Sequence, residues 1–167
     1  MKTLPALFPA LALAVLLPAM ARTAAAGDVD PTPAPAWQLK DLDGRTVTSD
    51  QFKHKVVVLD FWATWCGPCR SEIPGYVALQ RKYAAAGLAI VGVSVDQADP
   101  GVVRKFVAEE KIDYPIVLAD DQITSAFGGV EAIPTTVVID RNGVIRYRKV
   151  GSMPTAEFEE ILKRYLR

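Results

Sequence analysis

Cys66 and Cys69 are the only cysteines of this 167-residue chain, and they sit two residues apart in Trp65-Cys66-Gly67-Pro68-Cys69, directly after the apolar run 56–62. That order puts a thiol pair at a strand's end. A helix opening at Gly67 would aim its unpaired N–H groups and positive dipole end at Cys66, favouring the thiolate that attacks disulfides. Cys69, one turn further in, is placed to displace whatever Cys66 captures. Plainer roles fit less well. A structural disulfide here would close a ring of only four residues and constrain the unfolded chain little. Structural zinc wants four ligands, and beyond the cysteines the chain offers only His54. Copper(I) needs only two thiolates and stays open as a carrier function, although Met153 is the one methionine downstream of the leader to serve as a further soft ligand.

The elements that position the pair follow from patterning. Residues 1–26 combine a basic start, an apolar stretch broken by Pro5, Pro9 and Pro18, and small residues at Ala24-Ala25-Ala26, the plan of a removable secretory signal. The mature chain then begins near Gly27 in an oxidising compartment, the periplasm, tethered to the membrane only if the segment is not cleaved. Without residues 1–26 the chain carries 17 basic and 19 acidic residues, 17 − 19 = −2, so no basic footprint for nucleic acid remains. Residues 27–36, with Pro31, Pro33 and Pro35, read as an extended linker. Residues 37–167 read as one domain. It opens with a β-hairpin around Asp43-Gly44 and continues with a strand at 56–62 buried on both faces.

A helix from 67 to about 86 carries Ile73, Val77, Gln80 and Ala84 on one side, is kinked by Pro74 and ends at Gly87. Next come a strand at 88–95, a helix capped by Asp99-Pro100, a strand at 114–118, a short helix at 121–127, a hairpin over 135–150 and an amphipathic closing helix. The fold class is therefore α/β, a mixed central sheet with helices on both faces.

Asp60-Phe61-Trp62-Ala63-Thr64-Trp65-Cys66-Gly67-Pro68-Cys69, then Pro74, Ile133-Pro134-Thr135, and Asn142-Gly143 ahead of Gly151 resemble the thioredoxin superfamily. The leader, the hairpin at 37–48, the extra helix–strand unit at about 100–118 and Glu72 resemble its exported TlpA/ResA-like branch. The resemblance implies a thioredoxin-like fold with an inserted helix–strand unit. It implies an enzyme, a protein thiol-disulfide oxidoreductase whose redox disulfide joins Cys66, the exposed nucleophile, to Cys69, the resolving thiol. Pro134 would be a cis-proline facing the pair. Together with Trp65, Gly67, Pro68 and Ile133 it would form the surface that aligns a substrate disulfide, while Trp62 packs in the core.

The implied partners are protein disulfides or dithiols, such as those of apocytochrome c or copper-site proteins, and a membrane thiol-transfer donor of the DsbD/CcdA type. A monomer without cofactor or metal is expected, acting as a reductant; a disulfide-donating oxidant is the other direction. Asp60 interrupts an apolar strand, and a buried carboxylate there should have a raised pKa suited to exchanging a proton with Cys69. Glu72 is a second candidate for that step. In thioredoxins proper a lysine on the next strand approaches the carboxylate, whereas Gly92 stands at that position here, so Asp60 is expected to lack a cationic neighbour.

Overall fold

The computed structural model describes residues 27–167; the signal expected at 1–26 lies outside the described residues. Its core strands are β4 (Val56–Trp62) and β5 (Leu88–Ser94), which run parallel with every residue buried. Both are apolar throughout apart from Asp60 and Ser94, as a strand covered on both faces must be. β6 (Ile116–Leu118) continues the parallel set beside β5; on the other side of β4, β7 (Thr135–Ile139) runs antiparallel to it and β8 (Val144–Val150) antiparallel to β7. The hairpin β2 (Gln38–Asp41) and β3 (Thr46–Thr48) closes the β6 edge, and with β1 (Gly27–Pro33) the described residues form an eight-stranded sheet in the order β1-β8-β7-β4-β5-β6-β2-β3.

Asp140 fixes the β7–β8 turn by accepting from the N–H groups of Asn142 (2.9 Å) and Val144 (3.0 Å), with Gly143 supplying the positive φ of 75° that the turn requires. One departure from the sequence reading is at the start. Most of the segment expected as an extended linker forms an edge strand, β1 (Gly27–Pro33), which pairs antiparallel with β8. An edge strand tolerates proline because its outer N–H groups need no partner, and the pairing register shifts between Asp28 and Thr32, the segment that holds Pro31.

Helix α1 (Gly67–Tyr83) includes Pro74, and its buried face runs through Cys69, Ile73, Tyr76, Val77 and Leu79 rather than on to Ala84, which is exposed. Helices α1 and α4 (Thr155–Leu166) lie against one face of the sheet, where Ile73, Tyr76, Phe158 and Leu162 meet Val56, Val58, Trp62 and Val138. α2 (Pro100–Glu109) adds Val103 to that core. On the opposite face Leu59, Phe61, Val91 and Val93 pack with Trp37 and with Ile123 from α3 (Asp121–Ala126). Alternation along β4 therefore assigns Asp60, between Val58 and Trp62, to the α1 face.

Gly92 pairs in register with Asp60, and a Cβ there would lie 2.5 Å from Ile116 Cδ1 and 2.9 Å from Trp62 Nε1. Gly92→Ala is accordingly expected to cost about 1–3 kcal/mol through overpacking, read as a lower urea midpoint with unchanged m-value. Gly92 thus brings no side chain to Asp60 from this strand.

Candidate active site

The chain leaves β4 at Trp62 and turns through 63–66 into α1. Asp96 holds that turn: it accepts from Thr64 N (3.0 Å) and Thr64 Oγ1 (2.6 Å), and also from Ser94 Oγ (2.8 Å). Cys66 is the N-cap of α1, with its Sγ accepting from Cys69 N at 3.2 Å, and Pro68 occupies the first turn, where its missing N–H costs nothing. The two sulfurs form a disulfide with the Cα atoms 5.3 Å apart. The sulfur that reduction leaves on Cys66 thus lies at the positive end of a 17-residue helix.

Cys66 retains 5% of its exposure against 2% for Cys69, so in the oxidised protein the expected exposed nucleophile is largely covered, though less than its partner. Gly67 and Pro68 are exposed beside it, and Trp65 is 70% exposed while Trp62 is buried. Ile133 and Pro134 precede β7, their shared peptide bond is cis, and Pro134 is buried with its carbonyl accepting from Gly151 N at 2.8 Å. Because Phe61 pairs with Thr135, Pro134 stands one position further along, level with the end of β4 from which the thiol turn departs.

A polar row crosses the sheet at the level of Asp60, two residues before β4 ends. Gly92, Asp60, Thr136 and Lys149 are successive register partners on β5, β4, β7 and β8. Asp60 Oδ1 accepts from Thr136 Oγ1 at 3.3 Å, and that hydroxyl lies 3.0 Å from Tyr76 Oη. Lys149, only 1% exposed, donates Nζ to Glu72 Oε1, which also accepts from Met153 N at 2.9 Å. Glu72 Oε2 is buried and makes no hydrogen bond with any described residue.

Burial pushes the Asp60 carboxyl up to about 7; the Glu72 carboxylate adds to the rise, and the Lys149 ammonium and the Thr136 hydroxyl oppose it. Burial, with the carboxylates of Asp60 and Glu72, also keeps the Tyr76 and Tyr114 phenols well above their ordinary value. Asp60 makes no ion pair with a described residue, as Gly92 leads one to expect, but the Lys149 ammonium, held by Glu72, acts on it from β8, two strands away. The sequence places Lys149 only within a hairpin strand; its position two residues after Tyr147, on the same buried face, was the available signal. His54, by contrast, is exposed and lies just ahead of β4, at the end of the strand opposite the thiol turn.

Comparison with known proteins agrees with this geometry. The redoxin family profile matches residues 30–164. Thioredoxin-like protein YneN of Bacillus subtilis is 38% identical over 131 residues, covering 77% of this chain and 76% of that protein. The thiol-disulfide oxidoreductase ResA of Bacillus thuringiensis is 32% identical over 131 residues, covering 78% and 75%. Among solved structures, a thioredoxin-family thiol:disulfide interchange protein of Chlorobium tepidum superposes with a TM-score of 0.76 at 36% identity, covering 84% of this chain and all of that one. With its thiol pair at a helix N-terminus on a thioredoxin-like sheet, the chain belongs to the redoxin family and is a thiol-disulfide oxidoreductase of the ResA type.

Proposed function

We propose that the protein works outside the cytosol as a reductant of specific exported proteins, such as apocytochrome c or proteins with copper-site cysteines. The observation that supports thiol exchange through Cys69 is a buried carboxylate on the α1 face of the sheet, the face on which Cys69 is also buried. Cys66 thiolate attacks a substrate disulfide, forming a mixed disulfide and releasing one substrate thiolate. Cys69 must then lose its proton, and Asp60, titrating near neutrality, is the base suited to take it. The Cys69 thiolate attacks Cys66 Sγ and releases the second substrate thiolate. The substrate has gained two electrons, and the protein is left with the Cys66–Cys69 disulfide.

A membrane thiol donor of the DsbD/CcdA type restores the dithiol. Trp65, Gly67, Pro68, Ile133 and Pro134 form the surface on which an extended substrate segment lies, exposed at Trp65, Gly67 and Pro68. Leader cleavage near Gly27 frees the domain into the periplasm as a monomer. The test is the reduction potential of the pair against glutathione. A value nearer that of thioredoxin (about −270 mV) than of DsbA (about −120 mV) agrees with the reading. A value near −120 mV, with disulfide donated to a reduced protein, would reverse the direction.

A further inference from the structure

Lys149 has no obvious structural need for its charge. It stands at a buried position of β8, with Tyr76 and Phe158 ring centroids each 5.9 Å from Nζ, where an apolar residue would pack without desolvating an ion. Its ammonium nevertheless satisfies only part of Glu72, whose second oxygen is unpartnered among described residues. The pair is therefore an incomplete one by the standard of a purely stabilising salt bridge. What distinguishes its place is the register: Lys149 lies in the row that runs through Thr136 to Asp60, on the side of the sheet that carries α1 and the thiols.

We propose that Lys149 is a positioning residue for the thiol chemistry, whose buried ammonium, held by Glu72, keeps Asp60 able to ionise and so to accept the Cys69 proton. The inference rests on the reading of Asp60 as that acceptor and extends it. The groups facing Asp60 are few. Gly92 on β5 brings no side chain, Thr136 on β7 brings a hydroxyl, Tyr76 on α1 and Tyr114 ahead of β6 bring neutral phenols, and Glu72 on α1 brings a negative charge. Among the described residues Lys149 is the sole cation acting on it. Without it, two carboxylates would share an uncompensated buried site, and one would hold its proton.

The experiment follows the 13C resonance of the Asp60 carboxyl against pH in the oxidised protein, where neither cysteine titrates, with Asp60→Asn as assignment control. Lys149→Met should move the midpoint up by about one pH unit or more, Glu72→Gln should move it down, and Lys149→Arg should leave it near the parent value. In the reduced enzyme the rising limb of the pH–rate curve should move with it, a loss of about tenfold per unit at a fixed pH below the midpoint. Should Lys149→Met not fold, Lys149→Met/Glu72→Gln removes both charges of the ion pair, and its midpoint should lie above that of Glu72→Gln alone. If Asp60→Asn keeps the parent's rate limb, the proton role of Asp60 fails and this inference with it. If Asp60→Asn removes the limb while the Lys149→Met variants titrate like their Lys149-bearing counterparts, this inference alone is overturned.

Discussion

Asp60→Asn is expected to make the protein more stable at pH 8 while slowing disulfide reduction. In the folded state Asp60 titrates at about 7 against an ordinary value of 3.8, chiefly because burial penalises its charge and secondarily because Glu72 repels it. The native protein therefore binds this proton more tightly than the unfolded chain does. Between those two values the folded state holds more protons, so stability falls as pH rises from about 4 to 7 and is flat above. At about 1.36 kcal/mol per unit, the full penalty at pH 8 is on the order of 4 kcal/mol. Asparagine cannot ionise, so the variant should escape most of that penalty above pH 7 and show almost no gain at pH 4. Urea unfolding of the oxidised proteins at both pH values checks this. Equal gains at the two pH values would mean that packing, not the proton, distinguishes the variants.

The second large effect concerns the ion pair between β8 and α1. Lys149→Met leaves the Glu72 carboxylate buried with one backbone donor, Met153 N, and should cost about 3–5 kcal/mol at pH 7, the range found when one partner of a buried pair is removed. Pairing the change with Glu72→Gln should recover most of the loss, since both charges are then gone and the surrounding rings of Tyr76 and Phe158 accept an apolar side chain. Urea midpoints of the single and double variants give the comparison. A double variant as unstable as Lys149→Met alone would assign the cost to side-chain shape instead.

Much of the scaffold was legible because the decisive signals are local. The continuous apolar runs of β4 and β5, the Asp99 cap and the Asn142-Gly143 turn each act over a few residues, and the chain obeys them. The thiol pair was legible for the same reason: Cys66 caps the helix it opens. Two features depended on distant partners. Residues 27–33 look like a linker because their prolines suit no central strand, yet the open edge of β8 gives them a place that prolines can occupy.

The charge environment of Asp60 likewise depends on which strands flank β4. Gly92 on one side could be guessed from the resemblance. Lys149 enters only through the order β8-β7-β4, which sequence adjacency does not reveal. The raised Asp60 pKa was foreseeable from burial alone, whereas the opposition between Glu72 and Lys149 was not.

The roles of the two cysteines are tested most directly by trapping. Reduced Cys69→Ser protein should attack a disulfide-bonded substrate protein through Cys66 and then stall, because no second thiol is present to displace the product. Mass spectrometry of the non-reduced, digested mixture should find a covalent adduct joined at Cys66, stable until dithiothreitol is added, and Cys66→Ser should form little or none. An adduct that forms at Cys69 in Cys66→Ser as fast as at Cys66 in Cys69→Ser would contradict the assignment.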